Sequence, residues 1–168
     1  MRRPGSLTSR KTFLEMPRLL LLPLLLSVAT FAFGCGDNSM PSVQEFEQSI
    51  VATRDRVDFA LERITRAQSR DELLGRMDEA ADTIDAAAGD LDDVGAPRAY
   101  QSEAGNLVDS LRQLAFDVQA TADQIRQPGF GDLLLGTRGL SFESWGKVNL
   151  ALASLRRKGI QVVPLGRH

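Results

Sequence analysis

From residue 42 onward, apolar and small side chains return in alternating steps of three and four, the spacing that gathers them on one face of an α-helix. The first stripe is Val43, Phe46, Ile50, Thr53, Val57, Ala60, Ile64 and Ala67, about seven turns. Ser42 precedes it and Glu45 follows three residues on, the capping-box spacing in which each side chain satisfies a backbone N–H of the first turn. Ser69 and Glu72 repeat that spacing and predict a break near 69–71. A second stripe follows: Leu73, Met77, Ala80, Ile84, Ala87 and Leu91, widened by Leu74, Ala81 and Ala88, small enough to let a neighbouring helix come close. Gly95 and Pro97 stop it. The third stripe is Ala104, Leu107, Leu111, Leu114, Val118, Thr121 and Ile125, ended by Pro128 and Gly129.

The pattern then fails. Residues 127–140, QPGFGDLLLGTRGL, hold too many glycines for a long helix, and their three leucines need cover, most simply by folding back onto the helices. A last helix is predicted from Ser141 or Phe142, with Trp145, Val148, Leu152 and Leu155 inward and a stop at Gly159. Arg156, Arg157 and Lys158 suit the negative end of its dipole. The tail IQVVPLGRH lies extended along the bundle or adds one short strand. Short connections make successive helices antiparallel neighbours. The expected fold class is therefore all-α, an up-down-up-down antiparallel bundle of three to four helices with crossings near about +20°. A three-helix stack whose last helix crosses at an angle fits the same periodicity.

Upstream the pattern is of another kind. Residues 19–33, LLLLPLLLSVATFAF, form a 15-residue apolar run behind basic residues. As a helix it would reach only about 23 Å, against about 30 Å of hydrocarbon, which suits a signal peptide better than a permanent span. The run stops at the chain's single cysteine, Cys35, set among Gly34, Gly36, Asp37 and Asn38, a poor setting for a buried thiol. With no second cysteine there is no internal disulfide. The expected organisation is a signal peptide over 1–34, a tether over 35–41 and a helical domain over 42–168.

Ala32, Phe33, Gly34 and Cys35 together resemble the lipobox of bacterial lipoproteins, with Phe33 where a small side chain is usual. The resemblance covers about the first 36 residues. It implies cleavage between Gly34 and Cys35, a diacylglyceryl group on the Cys35 sulfur, acylation of the new amine with palmitate or a similar chain, and a lipid-anchored protein of the cell membrane facing away from the cytoplasm. Each buried methylene contributes about 0.8 kcal/mol, so two or three chains replace a transmembrane helix. Two starts fit. Met16 gives a compact Sec-type leader. Met1 adds SRKTFLE (9–15), which is similar to the twin-arginine export motif with Lys11 and Glu15 as departures; Sec is the expected route.

Charge sharpens this picture. Five of the 20 basic residues and one of the 22 acidic ones precede Cys35, leaving 15 and 21 and a net charge of −6 for the remainder. That balance excludes nucleic acid, and anionic lipid surface, as the main partner of the mature domain.

Candidate chemistry is sparse. The one histidine, His168, stands at the last position, and no Glu-x-x-His pair of di-iron bundles occurs. Met77 falls on a core stripe and reads as packing, not as a haem ligand. Asp78, Glu79, Asp82, Asp85, Asp90, Asp92 and Asp93 lack the EF-hand order and recur at helical steps, as on a solvated face. Serines have no placed base. The expectation is a protein that is not an enzyme and uses no cofactor and no metal. Phe59 and Phe116 sit off the stripes; Phe59 is expected to flank a neighbouring helix and Phe116 to lie under the 127–140 loop and the tail, with a partner-binding patch as the alternative. Thr53, Thr121 and Asn149 near the seams are candidates for setting helix register.

Two functions follow. One is a lipid-anchored, non-enzymatic module of the cell envelope acting as adapter or scaffold, with an envelope protein or a second copy as partner. The other sequesters a small apolar ligand between helices, with Phe142, Trp145, Leu133, Leu134 and Leu135 lining the pocket.

Overall fold

The computed structural model describes residues 40–129 and 142–166. Gly34, Cys35 and the leucines at 133–135 lie outside that range, and so do the leader and the lipidation site. Residues 38–168 form a compact unit of their own, with core side chains running from Phe46 to Leu165.

Four helices build it: α1 (Val43–Thr65), α2 (Arg70–Val94), α3 (Gln101–Arg126) and α4 (Glu143–Arg157), with one 3₁₀ turn, Arg98–Tyr100, leading into α3. Among the described residues there is no β-strand. Ser42 caps α1 with the full reciprocal box: its Oγ accepts from Glu45 N–H and Glu45 returns a bond to the Ser42 N–H. At α2 only half of that box forms. Ser69 Oγ accepts from Glu72 N–H, but the Glu72 carboxylate takes the N–H of Gln68 instead.

Ion pairs across each seam show the antiparallel register. Arg63 meets Glu79 and Arg56 meets Asp90 between α1 and α2. Between α2 and α3, Asp78 pairs with Arg126 and Asp92 with Arg112, so fourteen residues forward on one helix match fourteen back on the other. Asp117 and Glu103 of α3 reach Ser144 and Lys158 at the two ends of α4. Four acidic side chains of α2, Asp78, Glu79, Asp90 and Asp92, thus cross-link it to the helices on either side, while Asp82, Asp85 and Asp93 stay exposed. The bundle is the four-helix arrangement, with α1 beside α2, α2 beside α3 and α3 beside α4.

Most stripe residues are buried, including Phe46, Ile50, Val57, Met77, Ile84, Leu107, Leu111, Leu114, Val118, Ile125, Leu152 and Leu155. Ala80, Ala81, Ala87 and Ala88 are buried too and give α2 the thin side chains that let α1 and α3 flank it. The stripes miss in places. Val43 is about half exposed, while Leu61, outside the stripe, is buried. In α4 it is Ser144 that is fully buried, and Trp145 only packs partly against the core.

The seam between α1 and α4 is closed by the tail, not by direct packing. At the end of α4 the Gly159 N–H donates to Arg156 O and the Ile160 N–H to Leu155 O, a Schellman motif, with Gly159 at φ +102°. The chain turns there and runs back extended, burying Ile160, Val162 and Leu165. Side chains of both helices hold its backbone. Glu47 accepts the Gln161 N–H, Arg54 donates to Pro164 O, Asp58 accepts the Gly166 N–H and Asn149 accepts the Leu165 N–H. Five extended residues from 161 to 166 rise about 16 Å, and so do eleven helical residues from 47 to 58, so the tail runs alongside α1 in the same direction.

Candidate interaction surface

The outer face of the α3–α4 pair is where polar chemistry and exposed apolar groups meet. An open groove of about 380 Å³ runs between the two helices, walled by Asn106, Asp109 and Ser110 of α3 and by Lys147, Leu150, Ala151 and Ser154 of α4. Leu150 is 71% exposed. Phe116, two turns beyond Asp109 on the same stripe of α3, is 66% exposed. They are the two most exposed large hydrophobic side chains described, and each stands on one of the helices that wall this groove. Among the described residues neither Asp109 nor Lys147 makes an ion pair.

Asp117 ties the two helices of this face together at one end. Phe142, at the N-cap of α4, makes no side-chain cap bond. Instead Asp117, on the neighbouring helix, accepts the Ser144 N–H at 3.4 Å and the Gln113 amide at 2.8 Å. Burial alone would raise its carboxyl; the Ser144 side chain and N–H, the Gln113 amide and the Lys147 charge outweigh burial and hold it below the ordinary aspartate value. The Ser144 hydroxyl sits beside this carboxylate without completing a hydrogen bond of ordinary geometry. At the other end of α4, Lys158 donates to Ala99 O and to Glu103, and its hydrogen bond lowers the Glu103 carboxyl below its usual value against the smaller effect of burial.

Of the ligand-pocket residues expected from sequence, Phe142 and Trp145 come together at the start of α4, both half-buried against the core; they do not line the groove. Leu133, Leu134 and Leu135 lie outside the described residues. Among the described residues nothing covers Phe116, residues 130–140 of the loop expected over it lying outside them, and Phe59, 59% exposed, packs under no neighbouring helix. The tail docks in the α1–α4 seam and so not over Phe116, and the Phe59 ring projects from the solvent side of α1. Thr53 is buried in the core as expected of a seam position. Thr121 bonds its own helix at Asp117 O, and Asn149 holds the tail.

Arg54, Asp58 and Glu47 were invisible as a group in the sequence, since each occupies an ordinary polar position of α1 and only the tail unites them. Among the described residues no cluster of side chains is suited to hold a metal ion, and no helix is long and apolar enough to cross a membrane. Comparison with models of protein families, with curated proteins and with solved structures finds no match to this chain.

Proposed function

We propose that this protein is a lipid-anchored, non-enzymatic helical module of the bacterial cell envelope that serves as an adapter or scaffold. The observation that carries the reading is Ala32-Phe33-Gly34-Cys35 at the end of a 15-residue apolar run, the one cysteine of the chain standing where lipoproteins are acylated. The body that follows supports it. Its core is built mainly from aliphatic side chains, and four ion pairs link neighbouring helices, an economical way to make a carrier of surface groups. The exposed apolar and charged side chains of the α3–α4 face suit contact with another protein. The ligand-sequestering alternative needs an enclosed apolar pocket, and the groove on this face is open and bordered by Asn106, Asp109, Ser110 and Lys147.

Intact-mass measurement on protein taken from native membranes tests the anchor. The expected species begins at Cys35 and carries the added mass of acyl chains. A Cys35→Ser variant is expected to stay unprocessed or to leave the membrane fraction; maturation and fractionation identical to wild type would overturn the reading.

A further inference from the structure

We propose that the α3–α4 face is the contact between two copies of this chain, joined about a two-fold axis perpendicular to the face. This deepens the scaffold reading by naming its partner, and it rests on that reading only for the role of the membrane. The first ground is charge. Asp109 and Lys147 stand on opposite walls of one groove, of opposite sign; among the described residues neither makes an ion pair, and the Lys147 charge is felt only at Asp117. Five other acidic side chains are matched between elements: Asp78 by Arg126, Glu79 by Arg63, Asp90 by Arg56, Asp92 by Arg112 and Glu103 by Lys158. A two-fold interface is self-complementary by construction, because whatever residue i meets on the second copy, that residue meets i in return. One acid and one base at separate positions on the same face satisfy that rule. Asp109 of each copy lies against Lys147 of the other.

The second ground is apolar. Leu150 borders the groove at 71% exposure and Phe116 follows Asp109 along α3 at 66% exposure. A leucine and an aromatic ring close to an ionic pair are the composition of an interface centre, and Asn106, Ser110 and Ser154 supply a polar rim.

Size sets the strength. The 15 residues of α4 extend about 22 Å and two adjacent helices are about 20 Å wide, so the face offers roughly 440 Å² per copy, about half that of a standard interface. The dimer is therefore weak in solution. Acyl anchors that confine both copies to one membrane plane raise their effective concentration and populate it.

The test uses residues 38–168, which carry the complete described core and lack Cys35, so neither acylation nor a disulfide enters. Sedimentation equilibrium is expected to show a monomer–dimer equilibrium with a dissociation constant between about 10 μM and 1 mM. Asp109→Lys and Lys147→Asp each weaken it by about ten-fold or more through like-charge contact, and the double variant D109K/K147D restores it to within about three-fold of wild type. Circular dichroism melting of Asp109→Lys is expected to match wild type, and the Lys147 variants, which lose the positive charge near Asp117, are compared by sedimentation well below their own melting midpoints, which separates loss of contact from loss of fold. In the full chain in membranes, a zero-length carbodiimide is expected to give an interchain product linking Asp109 to Lys147. A chain monomeric at millimolar concentration, a dimer indifferent to charge reversal, or one that the double variant fails to restore would each overturn the proposal. Because the solution experiment needs no acyl group, failure of the interface and failure of the anchor give separate signatures.

Discussion

The side-chain oxygen of Asn149, on α4, accepts the backbone N–H of Leu165 at 2.7 Å, and Leu165 is itself buried. One amide thereby pins the segment that closes the bundle. Asn149→Ala leaves a buried N–H without a partner, a loss of about 1–3 kcal/mol. Urea unfolding is expected to show a lower midpoint with an unchanged slope. Asn149→Asp keeps the acceptor, and its midpoint should fall less.

Gly159 makes the reversal into that segment possible. At φ +102° an L side chain is strained wherever it points, although no heavy atom lies within 4 Å of where a Cβ would sit. The cost of Gly159→Ala is then backbone strain alone, about 1–2 kcal/mol. A thermal melt that matches wild type would show that the Schellman turn is not the conformation in solution.

Asp117 predicts a pH dependence. Its carboxyl lies below the ordinary value in the folded chain, so folding favours the ionised form. The resulting stability is fully present above the unfolded value of about 3.9 and disappears as the pH falls through the lower, folded value. Asp117→Asn is expected to be less stable than wild type at pH 7, with the two stability curves converging below about pH 4. Chemical denaturation at a series of pH values measures the gap; a difference that persists unchanged at pH 2 would contradict it.

Leu114 and Phe116 are two residues apart on α3 and opposite in burial, 0% and 66% exposed. Leu114→Ala opens a cavity and is expected to cost about 2–5 kcal/mol. Phe116→Ser is expected to change stability by no more than about 0.5 kcal/mol, while weakening self-association. Denaturation and sedimentation on the same pair of variants separate core from surface.

Much of the fold can be read from local rules. Ser42 with Glu45 starts α1, Gly95 and Pro97 close α2, Pro128 follows the end of α3, and the three- and four-residue steps pick out Phe46, Ile50, Met77, Leu111 and Leu155 as core. These are helix-internal signals and need no knowledge of the neighbours. What escaped reading depends on contacts remote in sequence. Trp145 follows the α4 stripe by periodicity, yet Ser144 takes the buried place because Asp117, 27 residues earlier, anchors its N–H. Burial of Ile160, Val162 and Leu165 likewise depends on partners more than a hundred residues away in Glu47, Arg54 and Asp58. The groove on α3–α4 was equally hidden, since Asp109, Lys147 and Leu150 look like any solvent-side positions until two helices bring them side by side.

The placement of 160–166 also governs timing. Synthesis proceeds from the N-terminal side, and this stretch leaves the ribosome after every helix it seals. Until then the flank between the first and fourth helices stays unsealed, and the nascent chain cannot complete its interior. A polypeptide built this way postpones its own locking until those closing residues are in place.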